Sequence, residues 1–207
     1  MAKAGNTINS QKIAQPVKAC QALKKSPLNC LLPKAKLSCL SKKNPRKMYT
    51  PFKEMPDHAR VWVYQADRAL TDSEKAEMEQ HLKTFVNQWT VHSKDLKASA
   101  KVFPDRFVVL AVDENHNQAS GCSIDASVRF VQELEKHYNL SLFVRTEVAY
   151  LEGDTVKTTP VKSLKQQVNE GVIKADTTIF NNLVNNVGEL NSQWQAPAKT
   201  TWLSRYF

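Results

Sequence analysis

The sequence predicts an α+β domain with a ferredoxin-like core, a split βαβ arrangement in which the elements follow the order βαββαβ. Two amphipathic helices, each flanked by short runs rich in β-branched and aromatic residues, predict this order. Such a core has an antiparallel sheet with both helices on one face, and the remaining C-terminal residues form an elaboration of it. The 207 residues therefore divide into one domain, residues 48–207, and an N-terminal segment, residues 1–47.

The N-terminal segment differs from the domain in charge. It contains ten Lys, one Arg and no acidic residue, a charge of +11, which leaves the domain with 18 basic and 20 acidic residues and a net charge of −2. A Lys-rich segment without a hydrophobic period is expected to be disordered. It is interpreted as a basic arm for nucleic acid, as an Arg-poor organellar presequence, or as an upstream extension outside the natural product. Nucleic acid is an expected partner only if this basic segment belongs to the protein.

The domain begins with a predicted strand at Arg60–Gln65, followed by a helix that opens at a capping box formed by Thr71 and Glu74. Alternation places Trp62 and Tyr64 on one face of the strand, which we expect to be the face that the helices leave open. The apolar stripe of the helix consists of Met78, Leu82, Phe85, Val86 and Trp89.

Two further strands are predicted at Leu96–Val102 and Arg106–Asp113, joined by a tight connection typical of an antiparallel hairpin. The second strand is almost wholly apolar and is expected to be central. The clearest helix follows at Gly121–Tyr138, with Ser123 as its expected N-cap. Its apolar stripe consists of Ile124, Val128, Val131, Leu134 and Tyr138.

The last core strand is predicted at Leu140–Leu151, with a return strand that ends at Thr159. A short helix that includes Leu164 then ends at Gly171, and residues 176–180 are expected to add an edge strand. The C-terminal aromatic residues are expected to cover the open face of the sheet; they are Trp194, Trp202, Tyr206 and Phe207.

Five short sequence motifs occur in order between Met48 and Phe207, namely MYTPF, HARVWVYQ, GCSIDASV, IFNNLV and WLSRYF. Through these motifs the domain resembles a family of small bacterial proteins of uncharacterised function that are often labelled ABC transporter ATPase. Members of that family tend to have a His where this chain has Leu203, so any role of that His is not expected here.

The label of an ATPase is not supported by the glycines. A phosphate-binding P-loop needs two glycines five positions apart, followed by Lys and Ser or Thr. The closest two glycines of this chain, Gly171 and Gly188, are 17 residues apart. The chain therefore has no Walker motif, and ATP hydrolysis is not expected.

Cys122 is the sharpest candidate for chemistry, because it is the only cysteine outside residues 1–47 and stands at a helix N-terminus. The positive end of a helix dipole can lower the pKa of a thiol and make it a better nucleophile, although Asp125 adds negative charge nearby. His92 and His116 are the candidate catalytic partners of Cys122. The other interpretation is a buried structural thiol packed against the sheet.

The N-terminus of the helix Gly121–Tyr138 is also the predicted binding site. Neither a metal site nor a cofactor is expected, because the cysteines and histidines lack the spacing of a zinc site. The predicted binding residues are Gly121, Cys122, Ser123, Asp125, His92 and Trp89.

These observations lead to two hypotheses of function. The first is a cytoplasmic, non-catalytic binding or interaction module for a small molecule or a protein. The second is a small thiol-dependent enzyme or redox-sensitive protein that uses Cys122. Cysteines without the pattern of a disulfide framework favour a reducing compartment. No segment approaches the roughly 20 apolar residues of a membrane span, so a membrane is not an expected partner.

Overall fold

The structure, a computed structural model, describes residues 49–91, 94–104 and 106–207, so the predictions for residues 1–47 and for His92 lie outside the described residues. The described residues form a mixed α+β fold with four α-helices and several antiparallel sheets. The helices are α1 (Asp72–Val86), α2 (Gly121–Tyr138), α3 (Leu164–Asn169) and α4 (Val187–Gln193). The strands are β1 (Arg60–Gln65), β2 (Thr90–Val91), β3 (Lys94–Asp95), β4 (Ala98–Phe103), β5 (Phe107–Val112), β6 (Glu147–Glu152), β7 (Thr155–Pro160), β8 (Thr178–Phe180) and β9 (Gln195–Pro197).

The first sheet is antiparallel and has the strand order β1-β5-β4. Every residue of β5 is buried, which confirms the prediction that this apolar strand is central. The bounds predicted for β1 and α2 are also confirmed. The capping box of α1 is complete, because Thr71 accepts the Glu74 N–H and the Glu74 carboxylate accepts the Thr71 N–H.

Both long helices pack on the same face of this sheet, as predicted. Leu82 of α1 and Leu134 of α2 belong to one buried cluster with Tyr64, and Trp62 packs against it. The prediction that Trp62 and Tyr64 face away from the helices is wrong. Alternation along a strand fixes which residues share a face, but the packing of the helices decides which face they cover.

The opposite face of the sheet is covered by the C-terminal part of the chain, as predicted. The residue that covers it is Trp194, whose ring lies 5.0 Å from the rings of both Phe107 and Phe180. Trp202 instead packs against a separate cluster around Leu203. Of the aromatic residues predicted to cover this face, Trp194 therefore does so, whereas Trp202 and Tyr206 pack elsewhere.

The second sheet has the order β7-β6-β8-β9, so the fourth strand expected in a ferredoxin-like core lies in a different sheet from β1, and that arrangement is not confirmed. Residues 140–146 are not a strand, although a strand was predicted there. Asn139 ends α2 in the left-handed conformation, and the Glu135 carboxylate accepts the N–H groups of Leu142 and Phe143. A helix side chain thus binds amides that a strand ladder would need. Residues 178–180 form an interior strand rather than an edge strand.

Within the described residues, no helix combines the length and the apolar character needed to cross a lipid bilayer.

Candidate functional site

The N-terminus of α2 is capped by Ser120, whose hydroxyl accepts the Ser123 N–H at 3.3 Å. The predicted cap, Ser123, lies inside the first turn, is buried, and donates its hydroxyl to the Ser120 carbonyl at 2.8 Å. The prediction was wrong because a serine three residues after a cap can bond back to the cap instead of capping the helix itself.

Cys122 is exposed, so the interpretation of a thiol packed against the sheet is wrong. Its neighbours Gly121 and Asp125 are exposed as well, and so is His116 in the preceding loop. Within the described ranges, no side chain forms a hydrogen bond with the Cys122 thiol. Among the described residues the structure therefore shows no hydrogen bond between Cys122 and the candidate base His116, and a pairing with His92 lies outside them.

The structure brings together two of the predicted binding residues, Trp89 and Ser123. The indole N–H of Trp89 donates to the Ser123 carbonyl oxygen at 2.8 Å, and both residues are buried. This bond connects the segment after α1 to the first turn of α2. Trp89 and Ser123 thus hold the two helical segments together, and the binding role of the predicted residues stays a prediction.

A cleft of about 780 Å³ lies instead along the open edge of β1. At one end the Val61 N–H donates to the Asn185 carbonyl oxygen at 2.9 Å, and at the other end Gln65 forms a parallel β-bridge with Phe143. Between these contacts none of the described strands pairs with β1 on that side. The residues that line this β1-edge cleft include Trp62, Tyr64, Ile124, Val128, Phe143 and Trp202.

Hydrogen-bonded amide side chains, one buried and one half-buried, lie at the β1-edge cleft. Trp194 donates its indole N–H to Asn182 at 3.0 Å, and Asn182 donates its amide to the Gln65 side chain at 2.8 Å. Gln65, only 2% exposed, in turn donates to the Glu147 carbonyl oxygen at 3.4 Å. This series of bonds connects β1 with β6 and the loop after β8, so the cleft is preformed rather than assembled by a ligand.

One wall of the β1-edge cleft is the first half of α2. Ile124 and Val128 of the predicted apolar stripe are only half-buried, and both face the cleft. The adjacent Ser127 is buried and donates its hydroxyl to the Ile124 carbonyl oxygen at 2.7 Å. Burial raises the pKa of Tyr64, and the Ser127 hydroxyl and the positive charge of Arg145 oppose that rise without cancelling it.

The rim of the cleft carries charge. Arg145, Glu147 and Val161 line both the cleft and an adjoining depression of about 670 Å³. Lys162 lines the depression as well. None of the ion pairs in the described part of the chain involves Arg145 or Lys162. The adjoining depression, lined by Arg145, Lys162 and Glu147, therefore has a net charge of +1, whereas the cleft itself is lined by one positive and one negative side chain, Arg145 and Glu147.

A separate cluster of ligand-type side chains lies at the opposite end of α2. We call Glu77 and His81 of α1 and His137 of α2 the His–Glu cluster, in which one ligand atom from each residue lies within 4.8 Å of the others. His137 Nε2 is 3.4 Å from a Glu77 carboxylate oxygen, and His81 Nδ1 is 3.1 Å from the hydroxyl of Tyr138. Imidazole and carboxylate are ligands that divalent transition metals accept.

Burial governs the electrostatics around the His–Glu cluster. It lowers the pKa of His81, with the charges of Glu77 and His137 acting in opposite directions on it. It also raises the pKa of Tyr138, and the neighbouring carboxylates Glu77 and Glu74 raise it further. A neutral imidazole and a neutral phenol therefore face each other.

Sequence reasoning missed both the cleft and the His–Glu cluster. A usable signal was the spacing of Glu77 and His81, which are four residues apart and so share one face of α1. His137 comes from another helix, and only the packing of α1 against α2 brings it to that face. For the cleft, no sequence signal indicated that Ile124 and Val128 would be left uncovered.

The chain matches no protein-family model, and no curated protein or solved structure is significantly similar to it. The resemblance described above therefore stays a prediction.

Proposed function

We propose that this protein is a non-catalytic binding module. In the β1-edge cleft it binds a small molecule that has an apolar body and an anionic head group. The observation that carries the proposal is a cleft lined mainly by apolar side chains, at which Arg145 forms none of the ion pairs found among the described residues. Clefts of about 300–1,000 Å³ with apolar walls and a few polar groups are the usual sites for small molecules.

The walls of the cleft favour an aromatic or aliphatic body in the ligand. Ile124 and Val128 on one side and Trp202 on the other are each half-buried, so each still has apolar surface to cover. Covering such surface contributes roughly 25 cal/mol per Å². A ligand that reaches both walls would remove this surface from water without any change in the fold.

The polar groups favour an anionic head. The Arg145 guanidinium offers a charge and several donors. The N–H of Val63 faces the same open edge as that of Val61, because successive amides of a strand point in opposite directions. In the part of the chain that the structure describes, the Val63 N–H has no partner on that edge. A carboxylate or sulfonate could accept from both donors.

The test is a fluorescence titration of the full chain with 8-anilinonaphthalene-1-sulfonate, an aromatic anion, followed by displacement with decanoate. We expect saturable binding at one site. Arg145→Met is expected to weaken it about tenfold, since a charge-assisted hydrogen bond contributes about 1.5–3 kcal/mol and 1.4 kcal/mol is a factor of ten. Trp202→Ala, which removes one wall, is expected to weaken it as well.

The matched control is Arg129→Met, which removes the same charge from an exposed position of α2 outside the cleft. It should leave the affinity unchanged, which separates the cleft from general attraction to the basic residues 1–47. Equal affinities in the wild type, Arg145→Met and Trp202→Ala would overturn the proposal.

A second proposal is a thiol-dependent or redox-sensitive activity at Cys122. The observation that supports it is the exposure of this thiol in the first turn of an 18-residue helix. An exposed free thiol also supports a location in the reducing cytoplasm. Its test is the labelling experiment described in the Discussion.

A further inference from the structure

We propose that the His–Glu cluster, formed by Glu77, His81 and His137, is a Zn²⁺ site with three protein ligands. The proposal does not depend on the β1-edge cleft, which lies at the other half of α2. It rests on the chemistry of the three groups, on their distances, and on the contacts that orient them.

The donor set suits zinc. Two imidazoles and one carboxylate form the ligand set of a common class of zinc sites that leave one position open. Glu77 and His81 stand four residues apart on one face of α1, and His137 reaches that face from the last turn of α2. The ion would therefore connect the two long helices of the domain.

The distances are close to those that a bound ion requires. Zn–N and Zn–O bonds of about 2.0–2.2 Å place the ligand atoms of a tetrahedral shell about 3.3–3.5 Å apart. The separation of 3.4 Å between His137 Nε2 and the Glu77 oxygen already has this value. All ligand atoms of the cluster lie within 4.8 Å of one another, so side-chain adjustments of about 1 Å bring them to the spacing of a tetrahedral shell.

Tyr138 supplies the outer contact that metal-binding histidines usually have. Its hydroxyl lies 3.1 Å from His81 Nδ1 and can accept a hydrogen bond from the tautomer that carries the proton there. Nε2 of His81 then keeps the lone pair that a metal needs. The His81 and His137 rings are edge to face, with centroids 5.5 Å apart, so neither ring blocks the other.

Three ligands leave the fourth position to water. Such a coordination shell is open, and it permits exchange of the ion and binding of an outside ligand, unlike the closed four-ligand shell of a structural zinc site. We therefore expect reversible binding that increases stability, rather than a domain that needs zinc to fold.

The experiment is isothermal titration calorimetry of the full chain with Zn²⁺. Absorption spectra are recorded in parallel with Co²⁺ in place of Zn²⁺. We expect the visible bands of four- or five-coordinate Co²⁺ without a thiolate-to-cobalt charge-transfer band. His81→Gln and His137→Gln should each weaken Zn²⁺ binding by more than about a hundredfold, because loss of an outer contact alone costs about 10–100-fold. Tyr138→Phe should weaken binding by about tenfold.

The matched control is His116→Gln, a change of an exposed histidine outside the cluster, which should leave the affinity unchanged. Glu77→Gln alters an exposed side chain on a solvent-facing part of α1, so it tests the site even if a histidine variant fails to fold. Unchanged Zn²⁺ affinity in Glu77→Gln and in either folded histidine variant would overturn the proposal. A thiolate band that persists in these variants would also overturn it, because the ion would then be held by cysteines.

Discussion

The two halves of α2 belong to one helix and one apolar stripe, yet they have different surroundings. In the second half, Val131 and Leu134 are fully buried against the sheet. In the first half, Ile124 and Val128 are half-buried and border the β1-edge cleft. The second half therefore stabilises the domain, whereas the first half has apolar surface left for a ligand.

The two ends of the helix also differ in how they are held. The carbonyl oxygen of Tyr138, at the C-terminal end, accepts from Arg68 at 2.9 Å, and Arg68 donates twice to Glu74 at 2.8 and 2.9 Å. The N-terminal end is held by the bond between Trp89 and Ser123, and Cys122 beside it is exposed. Equal hydrophobic periodicity thus does not imply equal burial, because a helix buries only the part of its stripe that other elements reach.

Two matched valines give the largest expected difference between the halves. Val131→Ala, at a fully buried position, is expected to lower the free energy of unfolding by about 2 kcal/mol, since it removes two buried methyl groups and leaves a cavity. Val128→Ala, one turn earlier, is expected to cost less than about 1 kcal/mol, because this side chain is already partly in water. Both changes gain the same helix propensity, so burial alone separates them.

Urea unfolding at neutral pH measures the free energy of unfolding of both valine variants. The fluorescence titration with the anionic probe measures their effect on binding in the cleft. Val128→Ala should weaken binding of the anilinonaphthalene probe, and Val131→Ala should not if it remains folded. Equal losses of stability at the two positions would show that the first half of α2 is packed as tightly as the second.

The ion pair between Arg68 and Glu74, which lies at the C-terminal end of α2, predicts a smaller, pH-dependent effect on stability. Hydrogen bonds from Arg68 and from the Thr71 backbone lower the pKa of Glu74 from 4.5 to about 2. Because the pKa is lower in the folded state, this contribution is present above pH 4.5 and is lost as the pH falls toward 2. Since the pair is partly exposed, we expect no more than about 1 kcal/mol.

Glu74→Gln checks this effect, because Gln can still complete the capping box while it lacks the charge. The difference in unfolding midpoint between wild type and variant should be greatest near pH 6 and should disappear near pH 2. Glu79→Gln is the control, since Glu79 is exposed on the same helix and takes no part in the ion pairs found within the described ranges. A difference that grows as the pH falls would contradict the assignment.

The exposed N-terminal end predicts the smallest change in stability. Cys122→Ser should alter the free energy of unfolding by less than about 0.5 kcal/mol, as is usual for an exposed position. Iodoacetamide should label Cys122 in the native chain nearly as fast as in urea, and mass spectrometry of its tryptic peptide distinguishes it from Cys20, Cys30 and Cys39. Labelling faster in the native state than in urea would favour the thiol-dependent activity, whereas strong protection would show that the first turn is covered.

The sequence by itself determined the elements that depend on neighbours along the chain. The capping box at Thr71 and Glu74, the bounds of α2 and the apolar β5 follow from local hydrogen bonds and hydrophobic periodicity. The prediction that both long helices share one face of the sheet also holds.

Tertiary structure decided everything that depends on contacts between distant residues. It placed Trp62 and Tyr64 against the helices, moved the fourth core strand into the second sheet, and left Ile124 and Val128 uncovered. The physical reason is the same in each case. A pattern of apolar residues shows which side chains avoid water, but only the packing of one element on another determines what covers them and which polar groups, such as those of the His–Glu cluster, come within bonding distance.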